Sequence, residues 1–195
     1  MKSSVKISVI ALAFTAFAFG AKAQTTTPST TTTTPGGVRF SIGVDAGVPT
    51  GNLKNYYDWN LGGSVQADIP VVSNKLFVTV NAGYDNIFGK KNINGTGFDA
   101  TNIQLLPVKA GLKYFIVPNF YVQGEAGAAI SLNKSDVGFT NSAAFIYAPQ
   151  IGYQFQLGGK NYIDAGVRYE ASTDFVSSNN NSKVNFIGLR LAYGF

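Results

Sequence analysis

From Arg39 to the last residue the chain alternates apolar and polar positions with period 2, the mark of strands whose two faces meet unlike surroundings. Phe40, Ile42, Val44, Ala46 and Val48 share one face of a first strand, with Ser41, Gly43, Asp45 and Gly47 on the other. The second sets Leu61, Gly63, Val65, Ala67 and Ile69 against Gly62, Ser64, Gln66 and Asp68, and the third Leu76, Val78, Val80, Ala82 and Tyr84 against Thr79, Asn81, Gly83 and Asp85. In the fourth, Leu106, Val108, Ala110, Leu112 and Tyr114 oppose Pro107, Lys109, Gly111 and Lys113. The fifth opposes Phe120, Val122, Gly124, Ala126, Ala128 and Ile130 to Tyr121, Gln123, Glu125 and Gly127. The sixth opposes Phe145, Tyr147, Pro149, Ile151, Tyr153 and Phe155 to Gln150, Gly152 and Gln154. The seventh opposes Ile163, Ala165, Val167, Tyr169 and Ala171 to Asp164, Gly166, Arg168 and Glu170, and the eighth Ile187, Leu189, Leu191, Tyr193 and Phe195 to Gly188, Arg190, Ala192 and Gly194. None of these apolar-face positions is charged.

The connections carry a second rhythm. After strands one, three, five and seven they are long and polar (residues 50–58, 86–102, 133–142 and 173–185); after strands two, four and six they are short (70–75, 116–119 and 158–161). Transmembrane barrels have tight turns at one end and long loops at the other. The pattern therefore predicts an all-β fold, an eight-stranded antiparallel transmembrane up-and-down barrel over residues 38–195. Pro107 and Pro149 conflict with it, since proline cannot donate to a ladder and a closed barrel has no free edge. A bulge, or a position above the membrane band, is expected at each, with a one-residue change of parity nearby.

Alternation does not say which face points outward. A soluble ligand-binding barrel, the reading for a periplasmic carrier, would turn the apolar face inward. Here the polar faces are crowded with Gly, Ala and Ser and carry both signs of charge: Asp45, Asp68, Asp85, Glu125, Asp164 and Glu170 with Lys109, Lys113, Arg168 and Arg190. That set suits a narrow, filled lumen better than a solubilising coat. Tyr84, Tyr114, Phe120, Tyr147, Tyr153, Tyr169 and Tyr193 gather near strand ends on the apolar side, as aromatic girdles do. Strands of about 10 residues span a bilayer, and only closure satisfies every backbone group in lipid.

The first 23 residues read as an export signal: Lys2 and Lys6, an apolar run from Ile7 to Phe19, then Ala21, Lys22 and Ala23 as a small-x-small cleavage site that leaves Gln24 first. That run of 13 residues is short of the ~20 a spanning helix needs. Residues 24–37, nearly all Thr and Pro, read as a disordered linker.

Charge supports the same picture. Charged residues make up 13% of the chain, against roughly 25% in an ordinary soluble domain. The formal charge is +5, but removing Lys2, Lys6 and Lys22 from the 15 basic residues leaves 12 against 10 acidic ones. No stripe of cations forms, which excludes nucleic acid as a partner. Cys and His are absent, so thiolate chemistry, a disulfide framework and the commonest general base and metal ligand are missing. No cofactor, metal site or catalytic residue is expected. Asp164 and Glu170 share a face but stand roughly 20 Å apart along a strand, too far to cooperate. Asp99, Asn133 and Asp136 belong to no calcium-loop pattern.

The ending Ile187-Gly-Leu-Arg-Leu-Ala-Tyr193-Gly-Phe195 resembles the C-terminal strand signal of bacterial outer-membrane proteins, in which Tyr193 and Phe195 would be read by the barrel assembly machinery. The runs Ala110-Gly-Leu-Lys-Tyr114 and Ala165-Gly-Val-Arg-Tyr169 resemble strand motifs of the small bacterial outer-membrane β-barrel domain family, similar in outline to the eight-stranded OmpA and OmpX barrels. The resemblance covers residues 38–195. It implies a non-enzymatic protein of the bacterial outer membrane with periplasmic termini, with lipid and the assembly machinery as partners.

The ten inward charges are read as a structural salt-bridge network, because eight strands leave an interior just wide enough for side chains; the competing reading is an ion path. The loops hold Tyr56, Tyr57, Trp59, Phe98, Phe139 and Phe175, read as exposed aromatics that either bind a partner or surface glycan the sequence does not name or pack at the lipid headgroup level. The expected role is structural or surface-interacting, with four extracellular loops. A narrow pore or transporter of a small apolar ligand is the first rival, and the soluble periplasmic barrel the second.

Overall fold

The computed structural model describes residues 37–72, 75–95, 97–176 and 182–195. The proposed export signal (Ala21, Ala23 and Gln24 included) and all but the last residue of the Thr/Pro linker lie outside the described residues. Eight strands follow in order: β1 (Arg39–Pro49), β2 (Tyr57–Val72), β3 (Leu76–Gly89), β4 (Ile103–Val117), β5 (Phe120–Ser131), β6 (Ala143–Gly158), β7 (Asn161–Ser172) and β8 (Asn185–Gly194). Each pairs antiparallel with the next, and β8 pairs back onto β1, with Ile42 opposite Tyr193 and Val48 opposite Ile187. The sheet is a closed barrel with no free edge.

The alternation is set by what surrounds the wall. Every inward position identified above points into the barrel, and adjacent residues differ sharply: Leu189 is 66% exposed and Arg190 is 2%. In an ordinary soluble domain these values would be reversed. Outside, aromatics form two tiers. Phe40, Tyr114, Tyr153, Phe155, Tyr193 and Phe195 ring the end with the short turns, with Phe40, Tyr193 and Phe195 stacked in sequence. Toward the other end lie Tyr84, Phe145, Tyr147 and a stacked Trp59–Phe88 pair, ring centroids 4.3 Å apart. Aliphatic residues fill the belt between.

The two prolines do not produce the expected bulges. Pro107 faces the lumen and Pro149 the outside. Register is continuous past both: Ala82 is opposite Val108 and Asp85 opposite Leu105 across β3–β4, and Tyr147 is opposite Ala171 and Gln150 opposite Arg168 across β6–β7. Pairing lapses only between those positions, where the N–H is missing. The other edge of each strand stays paired, Pro107 with Ala129 and Pro149 with Gly124. The loss is local and the parity does not shift. Register shifts occur instead at strand ends, between Tyr57 and Trp59, Pro70 and Val72, Phe115 and Val117, and Gln156 and Gly158.

Several strands also run further than the alternation suggests, because β3 reaches Gly89 and β2 starts at Tyr57. Residues 50–56, 90–102, 132–142 and 173–184 connect strands at one end. The turns and both ends of the barrel segment are at the other.

Candidate functional site

The interior is stacked in layers along the barrel axis. At the turn end, Phe77 from β3, Phe115 from β4 and Tyr121 from β5 are buried together, Phe115 lying 5.7 Å from each of the other two rings. The Arg39 guanidinium sits over this cluster, 4.3 Å from the Phe77 ring centroid and 5.1 Å from that of Tyr162. Such large rings fit a narrow lumen because each lies across a glycine of the neighbouring strand. Tyr121 packs over Gly152 and Tyr162 over Gly194, and a Cβ at either glycine would fall on the ring.

The next layer is ionic. Lys113 Nζ is 2.8 Å from Asp68 and 3.6 Å from Asp164, bridging β4 to β2 and β7. Asp164 also accepts from the Tyr121 hydroxyl at 2.6 Å and from Gln154 Nε2 at 2.9 Å, and Asp68 accepts from Gln66 Nε2 at 2.7 Å. Above it, Arg168 reaches Asp45 at 3.4 Å and Glu125 at 3.6 Å, and its Nε donates to Gln150 at 2.8 Å. Asp45 also takes the Ser64 hydroxyl at 2.7 Å and faces Arg190 at 3.9 Å. Thr79 donates to Glu125 at 3.2 Å, and Lys109 pairs with Glu170. Moving a charge out of water costs several kcal/mol even after relaxation. Sharing each cation between carboxylates and filling the remaining acceptor sites with amides and hydroxyls offsets that cost.

All ten charges singled out from the sequence are therefore buried, and nine are tied by ion pairs, most of them between strands that are not neighbours, while Arg190 meets Asp45 on the adjoining strand. The tenth, Asp85, lines a cavity of about 10 Å3 beside Asp45, Lys109, Arg168 and Glu170, room for about one water. The amides Gln66, Asn81, Gln123, Gln150 and Gln154 join the network. Their inward parity was legible, but nothing in the sequence says that they bridge ions.

The layer toward the long connections is apolar, which the sequence reading missed. Ile87, Ile103, Leu105, Ala129, Ala144, Ile146 and Phe186 point inward from β3, β4, β5, β6 and β8, and Leu53, Phe175 and Val184 close over them from the connections. Phe175, read from sequence as an exposed loop aromatic, is fully buried here, with Phe139 stacked on it at 4.5 Å. Trp59 belongs to β2 and faces outward, while Tyr56 and Phe98 are exposed. Ile87 and Ile103 were hidden because both faces turn apolar at the strand tops, so period 2 fades and the segment reads as loop. Above the plug lies an open cavity of about 260 Å3, floored by Leu53, Ile103 and Val184 and walled by Tyr56, Phe98 and Phe139.

Aromatic, ionic and apolar layers each cross the lumen, and five of the six enclosed carboxylates are engaged by fixed cations. Among the described residues no group of three acidic side chains is placed to hold a metal ion.

No protein-family model and no curated protein matches this sequence. Among solved structures the chain is similar to the outer-membrane protein Ail of Yersinia pestis in a phospholipid bilayer nanodisc, with a TM-score of 0.53 and 18% identity over 81% of this chain and 98% of that one. It is also similar to the outer-membrane protein OprG of Pseudomonas aeruginosa, with a TM-score of 0.50 and 14% identity over 83% of this chain and 97% of that one. At such identities the likeness is one of fold: an all-β, eight-stranded, antiparallel closed barrel resembling those of small bacterial outer-membrane proteins.

Proposed function

We propose that this chain is a non-enzymatic integral protein of the bacterial outer membrane with a structural or surface-interaction role, presenting its four long connections to the cell exterior from a rigid, plugged barrel. One observation carries the reading: the aliphatic side chains face outward around the whole wall while ten lysines, arginines and carboxylates of the strands are enclosed in the lumen. A water-facing exterior of that composition has no means of staying soluble, whereas lipid favours it. The sealed lumen favours this role over a pore.

Export follows from the Lys2–Ala23 segment, with cleavage before Gln24, and residues 24–37 then tether the barrel on its periplasmic side. Both ends of the barrel segment lie with the short turns, as that orientation requires. Tyr193 and Phe195 act as the signal for the barrel assembly machinery; Phe195 also closes the wall through paired backbone hydrogen bonds with Phe40.

The test is extraction and mobility. The protein should stay in the membrane pellet through alkaline carbonate and migrate differently on gels before and after boiling. Release by carbonate would overturn the reading. Reproducible open-channel steps in planar bilayers would replace the structural role by a transport one. Removing Phe195 should lower the amount assembled, and unchanged assembly would count against the terminal signal.

A further inference from the structure

Charge does not balance along the lumen. Near the turns, Asp68 and Asp164 are matched by Lys113 and by Arg39, which lies over the Phe77, Tyr162 and Phe115 rings and faces Asp68 at 3.5 Å. Nearer the apolar plug, the buried carboxylates Asp45, Asp85, Glu125 and Glu170 stand against only three cations, Lys109, Arg168 and Arg190. Glu170 holds Lys109, Asp45 and Glu125 share Arg168, and Arg190 faces Asp45. Asp85 is left over. It is buried, and among the described residues it has no ion pair and no side-chain hydrogen bond.

The wall beside Asp85 gives it no donor. Its partners in register are Gly62 on β2 and Leu105 on β4. The carboxyl lies against Gly62, where a Cβ would fall on Oδ1, and Leu105 belongs to the plug. The cavity of about 10 Å3 that Asp85 lines is shared with Asp45 and Glu170, two further carboxylates, and with Lys109 and Arg168, both already engaged. Its neutral donors are engaged as well: the Ser64 hydroxyl donates to Asp45 and the Asn81 amide to Gln66. Asn81 Oδ1, buried and without a donor of its own, adds one more unpaired acceptor. Phe186, from the plug, completes the lining.

We propose that Asp85 is a proton-binding site: it carries a proton in the folded barrel at neutral pH, and that proton neutralises the surplus negative charge of the lumen. A carboxylate taken out of water without a partner is far costlier than the neutral acid, which needs only ordinary hydrogen bonding. The occupant must be small as well as positive. The space fits about one water, and Lys109 and Arg168 on its lining repel a metal ion. Ionisation sets a bare charge between Leu105 and the carboxylates of Asp45 and Glu170, and so loosens the floor of the plug. The packing of the lumen is thereby linked to pH, whichever end of the barrel faces the cell exterior.

The test is urea unfolding of the full-length protein in detergent micelles from pH 5.5 to 9, for the parent and for Asp85→Asn, whose amide keeps the shape without the charge. In the unfolded chain an aspartate is ionised above about pH 4, so Asp85 takes up a proton on folding. The parent therefore loses stability as pH rises, until Asp85 ionises in the barrel as well. The unfolding constant of the parent divided by that of Asp85→Asn should rise by up to about tenfold per pH unit. The same ratio for Asp136→Asn, an exposed carboxylate, should be flat. A flat ratio for Asp85→Asn overturns the proposal, because the carboxylate would then be ionised in both states. Stability of the parent at pH 8 that increases with sodium or potassium chloride but not with choline chloride also overturns it, by making the occupant a metal ion. Infrared spectra of the folded parent supply a readout that needs no variant: at pH 7 they should contain the carbonyl stretch of a protonated carboxyl, shifted in D2O. Its absence sinks the assignment.

Discussion

The two halves of the lumen fill the same narrow space by opposite means. Toward the turns, six carboxylates, four strand cations and a belt of glutamines are buried together; toward the long connections, Ile87, Ile103, Leu105, Ile146 and Phe186 make a plug with no charge. The apolar half gains from any close packing, and a lost methylene costs its own burial and the small cavity it leaves. The ionic half is all or nothing. Its members are tolerable only as a set, because removing one partner leaves another charge buried and bare. A barrel can therefore be sealed cheaply by grease or specifically by charge, and this one uses both in series.

The comparison can be broken most forcefully at Arg168, which holds Asp45 and Glu125 at once. Arg168→Met should lower unfolding stability in micelles by about 3–5 kcal/mol, the usual result of stranding a buried ion. A loss under 1 kcal/mol in urea titrations would mean that water already reaches this layer. On the outer wall, Val80→Arg and Leu189→Arg should each cost about 2–4 kcal/mol in lipid, seen as less heat-modifiable protein in membranes. Normal assembly of both would reverse the assignment of faces.

In the apolar half the effect should be smaller and graded. Ile146→Val removes one methylene and should cost about 0.5–1.5 kcal/mol, with no conductance appearing in planar bilayers because the ionic layer still closes the lumen. Channel steps in this variant would show that the plug alone seals the barrel. The smallest effect should come from the surface pair Lys90–Asp58, 3.9 Å apart, with Asp58 exposed and Lys90 half-buried. Lys90→Gln should change stability by less than about 1 kcal/mol, and adding salt to the parent should do as little. A larger change would locate an unrecognised contact at the β2–β3 end, where Lys90 Nζ also donates to the Lys54 carbonyl.

Much of the wall was legible because period 2 is a local property. Each residue between Phe40 and Val48, or between Ile187 and Phe195, faces outward or into the lumen according to its own parity, and no distant partner is needed to see it. The ten inward charges were legible for the same reason. The prolines misled because propensity rules treat a lost donor as a break, whereas neighbouring strands held the register at Pro107 and Pro149. Phe175 misled because loop position was taken for exposure. The aromatic clamp on Arg39 went unnoticed, since Phe77, Phe115 and Tyr162 come from three strands and meet only on closure.

Alternation, the rhythm of long and short connections and the scarcity of charge by themselves determined that eight strands close with their apolar faces outward, because those features depend only on what each residue touches beside the wall. Which charge pairs with which, that the upper lumen is dry, and that Arg39 stands over three rings at the lower mouth were decided by the tertiary structure alone. Those contacts join residues distant along the chain, such as Asp45 and Arg168, 123 positions apart, and they exist only once the curvature of the closed sheet brings the strands within reach.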